Sequence, residues 1–116
     1  MEISRPNKQK TIRDLDNILR ESNKKPIVTT FLSDWLGASQ LLQSFMSDLQ
    51  EEYEGDPIRF YQIQADHHTE KLQRKFGIDG LPATVIFEDG EVTDYFKGIL
   101  SKNKIRERID EHLPGI

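Results

Sequence analysis

The sequence predicts an α/β fold, a central mixed sheet with helices on both of its faces. Three observations carry that expectation. Segments with apolar residues at helical spacing alternate along the chain with short β-branched or aromatic runs. One of those runs, Ile27 to Leu32, is apolar enough to be a strand buried on both sides. The pair Asp89-Gly90 separates two strand-like runs as the turn of an antiparallel hairpin does. A chain of 116 residues with 35% hydrophobic content is sized for one domain whose core needs no metal or cross-link.

Residues 1–10 mix Lys, Gln, Asn and Pro and read as a flexible arm or a short edge strand around Ile3, with the domain proper over 11–116. From Thr11, Ile12, Leu15, Ile18 and Leu19 recur at helical spacing, and Asn23-Lys24-Lys25-Pro26 breaks that first helix. The buried strand follows and ends at Ser33 and Asp34. A second helix is expected from about Ala38 to Tyr53, with Leu41, Leu42, Phe45, Met46, Leu49 and Tyr53 forming its core-facing stripe, and Gly55-Asp56-Pro57 stops it. Ile58 to Gln64 alternates as a strand, and Asp66-His67-His68-Thr69 leads into a short helix carrying Leu72 and Phe76, with Gly77 as its C-terminal cap. Ala83–Glu88 and Glu91–Phe96 are the arms of the hairpin, and Gly98 punctuates its end. Ser101 is the N-cap of a last helix carrying Ile105, Ile109 and Leu113, closed by Pro114-Gly115.

Composition excludes several functions. Sixteen Lys and Arg against 20 Asp and Glu leave a net charge of −4, and the basic residues are scattered, so nucleic-acid binding is not expected. No run approaches the roughly 18 to 20 apolar residues of a membrane span, and the polar N-terminus lacks the apolar core of a signal peptide. The expectation is a soluble, cytoplasmic protein without membrane contact. The chain contains no cysteine, so it has no thiolate to attack a disulfide and cannot form a mixed disulfide.

Other candidate chemistries fall to simple geometry. His67 and His68 suggest a metal site, but adjacent side chains point apart and His112 lies on the last helix with no reason to converge. They read as a solvated helix start, and no metal or cofactor is expected. Ser39 paired with a histidine lacks an orienting acid and a Gly-x-Ser-x-Gly elbow, so no catalytic residue is assigned and the balance is against an enzyme. Asp34 and Asp66 read as turn and cap residues.

In order along the chain, Pro26 to Leu32, Trp35-x-Gly37, Phe76-Gly77-Ile78-x-Gly80-Leu81-Pro82, Phe87-Glu88-Asp89-Gly90-Glu91 and Gly98-x-x-Ser101-Lys102 resemble the thioredoxin family over about residues 11 to 113. The resemblance implies a thioredoxin-like sheet, with Trp35-Leu36-Gly37-Ala38-Ser39 where the family carries Trp-Cys-Gly-Pro-Cys. It also implies a cis Pro82 beside that motif and Gly98 lining the same surface. The departures are Leu36 and Ser39 at the two cysteines and Thr30 at the buried carboxylate that moves the proton. Leucine has no lone pair, and a threonine hydroxyl is no base near neutral pH. A redox-inactive member is the result, although Ser39 alone is also what an engineered cysteine replacement would leave.

The residues expected to bind are Trp35, Leu36, Gly37, Ser39, Leu81, Pro82, Gly98 and Ile99. Trp35, Leu36, Leu81, Pro82 and Ile99 are expected to form one exposed apolar patch, the competing reading being that Leu36 turns inward under Trp35 and fills the space of a cysteine. The partner expected there is a protein or extended peptide, in an assembly-factor or chaperone-like adaptor role. The alternatives are a derivative of a thiol-disulfide oxidoreductase and a structural module that pairs this patch with itself as a homodimer.

Overall fold

The computed structural model describes residues 9–34 and 37–113. Ile3 and the Pro114-Gly115 stop lie outside the described residues. The elements run β1 (Gln9–Lys10), a 3-10 turn (Ile12–Asp14), α1 (Leu15–Glu21), β2 (Ile27–Leu32), α2 (Gly37–Glu52), β3 (Arg59–Gln64), α3 (Thr69–Phe76), β4 (Ala83–Glu88), β5 (Glu91–Lys97) and α4 (Lys102–Asp110). The first helix is shorter than its periodicity suggests. Thr11 and Asp14 close a capping box, with the Thr11 hydroxyl accepting from Arg13 N and the Asp14 carboxylate from Thr11 N at 2.8 Å, and this box tightens the first turn into 3-10 geometry.

The sheet has five strands in the order β1-β3-β2-β4-β5. β3 is parallel to β1 and β2, and β4 is antiparallel to β2 and β5. A parallel pair needs a crossover, which α2 supplies between β2 and β3, while the β4–β5 pair needs only the Asp89-Gly90 turn. Both turn residues have positive φ, 54° and 79°, the backbone that a two-residue hairpin with the right twist demands and that Gly90 adopts without a side-chain clash. Between Ile86 and Phe87 the hairpin register shifts, leaving Thr93 as an extra residue on β5.

β2 is buried along its whole length, and its side chains alternate between two cores. Ile27 and Phe31 join Ile63, Val85 and Phe87 beneath Leu15 and Ile18 of α1 and Leu72 of α3. Val28 joins Phe60, Ile86 and Phe96 beneath Leu42, Met46 and Leu49 of α2 and Ile105 and Ile109 of α4. Leu41 departs from the expected stripe and is 48% exposed. Neighbouring helical residues are about 100° apart, so only one of Leu41 and Leu42 faces the sheet, and Leu42 shares a face with Met46 and Leu49.

The α4 helix is tethered as well as packed. The Ser101 hydroxyl caps it by accepting from Lys104 N at 3.2 Å. Tyr53 donates its hydroxyl to Asp110 Oδ1 at 2.7 Å, Arg106 meets both oxygens of Glu52 at 2.7 and 2.8 Å, and Lys102 reaches Asp48 at 2.9 Å. Leu113 lies beyond the helix and packs, partly buried, on the α2–α4 side.

Candidate functional site

Strand register brings Leu81, Pro82, Gly98 and Ile99 to one end of the sheet, the site edge. Phe31 stands opposite Ala83, and Ala83 opposite Lys97. The segments that leave the sheet there are therefore Ser33–Asp34 after β2, Leu81–Pro82 before β4 and Gly98–Ile99 after β5. Leu81–Pro82 is a cis peptide bond. Gly98 N donates to Pro82 O at 2.8 Å, and its φ of 80° is one that a side chain would strain, which is why glycine suits this close approach. Among the described residues no hydrogen bond engages the main chain of Leu81.

A second set of contacts fixes the segment that leads into Trp35. Asp66, just past β3, accepts from the Ser33 hydroxyl and from Asp34 N, the latter at 3.1 Å. The Ser33 hydroxyl first, and then the Asp34 amide, hold the Asp66 carboxyl below the usual carboxylate range. Gln64 donates its side-chain amide to Asp34 Oδ1 at 2.8 Å, and Ser33 N donates to the Ser39 hydroxyl at 2.9 Å. Asp66 thus ties two strand ends together, a broader task than the turn or cap role expected of it.

On the other side of the edge, Lys97 Nζ lies 3.2 Å from Asp79 Oδ1, and its aliphatic stem crosses Gly80, where an added Cβ would come within 2.8 Å of it. The Lys97 ammonium is the main cause that lowers the Asp79 carboxyl below its ordinary value.

Trp35 and Leu36 lie outside the described residues. Gly37 opens α2 and is exposed. Ser39 is not part of the surface: it is 2% exposed, with its hydroxyl turned to Ser33 N. The single exposed patch is also corrected. Pro82 is buried, Leu81 and Ile99 are half-buried, and the last two pack against different cores, Leu81 under α1 and α3 and Ile99 under α2 and α4. The sheet therefore stands between their two packing partners, and they do not merge into one exposed surface.

No nucleophile is assembled among the described residues. The Ser39 hydroxyl meets a backbone amide and no histidine there. Thr30, where the resemblance puts a carboxylate, is 1% exposed and cannot ionise. His67 is exposed and His68 is the N-terminal flank of α3, and no group of three metal-ligating side chains occurs among the described residues. His112 does converge on other elements, contrary to expectation. Its Nδ1 is 2.8 Å from Glu88 Oε1 and its Nε2 3.3 Å from Asp94 Oδ2, and Arg108 also grips Asp94. Nothing in the sequence signals this cluster, because its carboxylates come from the hairpin and Arg108 and His112 from α4 and the turn after it. No helix among the described residues is long and apolar enough to cross a membrane.

The sequence model of thioredoxin matches residues 7–111. The chain belongs to the thioredoxin family. Among curated proteins, this thioredoxin-family domain is 31% identical over 106 residues to the chloroplastic thioredoxin Y2 of Arabidopsis thaliana, covering 91% of the chain and 62% of that protein. It is 27% identical to the chloroplastic thioredoxin Y of Oryza sativa subsp. japonica, over 91% of the chain and 61% of that protein. The chain thus spans about three-fifths of the length of these relatives. Among solved structures, the thioredoxin of Fasciola hepatica superposes with a TM-score of 0.74 at 26% identity, covering 88% of this chain and 94% of its own. A mutant thioredoxin from Halobacterium salinarum gives 0.76 at 21% identity over 99% of each chain, a likeness of fold. The thioredoxin fold stands here on a chain without cysteine.

Proposed function

We propose that this is a redox-inactive thioredoxin-like domain that binds a protein or extended peptide along the edge formed by Leu81, Pro82, Gly98 and Ile99, as an adaptor. The main chain of Leu81 carries the reading: it leaves the sheet edge with no partner among the described residues, while the neighbouring Pro82 carbonyl is taken by Gly98 N. An extended segment can pair its backbone with such unpartnered main chain at a strand end, and the half-buried side chains of Leu81 and Ile99 offer apolar area on either side. Without cysteine, whatever binds there is held and released with its disulfides unchanged.

The test is a screen of immobilised extended peptides followed by titration of the ligand into isotope-labelled protein. Amide shifts are expected at Leu81, Gly98 and Ile99. Leu36→Asp, at the position that the family resemblance sets beside this edge, should weaken the complex by about 1 to 3 kcal/mol, because a carboxylate there would have to lose water against an apolar partner. Lys104→Asp, on the exposed side of α4, should do far less. Shifts confined to another surface, or equal binding by Leu36→Asp, would overturn the proposal. A parallel assay with an insulin-type disulfide substrate should give no turnover above a protein-free control.

A further inference from the structure

Beneath α2, strand register lines up three buried polar side chains. Thr30 on β2 faces Thr84 on β4 across the antiparallel pair and Gln62 on β3 across the parallel pair. All three are almost fully buried, at 1%, 1% and 2% exposure. Directly opposite residues on one face have Cβ atoms about 4.5–5.5 Å apart, so the three occupy one contiguous strip across the middle of the sheet. Thr30 Oγ1, Thr84 Oγ1 and Gln62 Nε2 have no hydrogen-bond partner among the described residues. The other end of the Gln62 amide is fixed, since its Oε1 accepts from Gln43 Nε2 of α2 at 3.0 Å.

Leaving such a group dry forfeits the hydrogen bonds it made to water when unfolded, with nothing in return. Three in one row would offset much of the narrow margin by which a domain is stable. We propose that the row is an internal hydration site, in which at least one long-lived water accepts from Gln62 Nε2 and bridges the hydroxyls of Thr30 and Thr84. The bonding capacity matches: water offers two donors and two acceptors, each threonine hydroxyl can give or take, and Gln62 Nε2 only gives. Neither hydrocarbon nor an ion fits the same three groups, because they are polar and uncharged. The site lies where the resemblance puts a buried carboxylate, and none of its members titrates near neutral pH. It does not depend on the peptide-binding proposal, being beneath α2 rather than at the edge that carries Leu81.

Water-to-protein cross-relaxation on protein labelled at the threonine methyls tests it directly. Thr30 and Thr84 should show contacts to a water that resides far longer than surface hydration, and their absence overturns the site. Urea denaturation of Thr30→Val, Thr84→Val and the double variant gives a second readout. In a hydrated row each single change strips a partner from a retained water and lowers the midpoint, and the double change costs less than the sum because the water leaves with its last hydroxyl. In a dry row each valine removes an orphaned hydroxyl at nearly constant shape and raises the midpoint, which would likewise overturn the proposal. The relaxation measurement uses the parent chain, so a valine variant that fails to fold leaves the test intact.

Discussion

Under α1 and α3 the central strands present Ile27, Phe31, Val85 and Phe87, whereas under α2 and α4 the same strands present Val28, Thr30, Thr84 and Ile86. Thr29 interrupts the first face with a single hydroxyl, but the second carries a whole polar row. The helices differ in the same sense. On the α1 and α3 side, Glu21 of α1 accepts from the Tyr61 hydroxyl at 2.6 Å and pairs with Arg59 at 3.2 Å, and Lys75 meets Asp16 at the surface, while α4 is joined to α2 and the hairpin by Lys102–Asp48, Arg106–Glu52, Arg108–Asp94 and His112. The first face has hydrocarbon central strands and fewer polar tethers than the second, so the two should fail under different insults.

The hydrocarbon face should show the largest single loss. Phe31→Ala, at a fully buried position, is expected to cost about 3–5 kcal/mol in urea denaturation, because the cavity left beneath the helices cannot collapse fully. A loss below about 1 kcal/mol would mean that this face is far looser than its burial implies.

Tyr53→Phe isolates one tether on the other face. It removes the hydroxyl that reaches Asp110 while keeping the ring against Phe60, at 5.8 Å between centroids, and about 1–2 kcal/mol should be lost. Desolvation first, and then the Asp110 carboxylate, push the Tyr53 hydroxyl well above its ordinary range, so the bond persists through neutral and mildly alkaline pH.

Acid should separate the faces by a smaller margin. The Arg108 guanidinium, with help from Tyr95 N and His112, holds the Asp94 carboxyl below the usual carboxylate range. A depressed carboxylate adds stability that is complete above its unfolded value and fades as pH falls through the folded value. Glu52, lowered by its hydrogen bond with Arg106, acts in the same direction. Hydrogen exchange followed downward from neutral pH is expected to release the amides of α4 before those of α3. Simultaneous release would show that the tethers add nothing measurable.

The mildest expected effect lies at the site edge. Asp66→Ala should leave the urea midpoint nearly unchanged but increase quenching of Trp35, the single tryptophan, by acrylamide, since the segment before it loses its tie to β3. Asp66→Asn, which keeps an acceptor, should fall between the two.

Local signals were readable from the residues themselves. Ser101 as a cap, Asp89-Gly90 as a turn and Gly77 as a left-handed helix end each depend on a few neighbouring atoms, and each occurs as expected. What depended on register was not readable. Thr30, Thr84 and Gln62 are scattered in sequence, and only the pairing of three strands sets them side by side. The same holds for Ser33 with Asp66 and for His112 with the hairpin. Leu41 failed for a different reason: a Leu-Leu pair offers the helix two faces, and the choice between them is made by Met46 and Leu49 further along. At the candidate site, the edge was legible because the ordered motifs mark it, but the burial of Pro82 and Ser39 was not.

The extra residue at Thr93 bears on how copies of this chain meet. β5 is an outer strand, and a flat outer strand invites another chain to continue the sheet. Here the bulge breaks the even spacing of donors and acceptors midway, and Glu91, Asp94 and Lys97 place charge along the same strand. Sheet continuation through β5 is thereby disfavoured, and this one of the two outer borders is shaped as a guard rail against strand-to-strand addition.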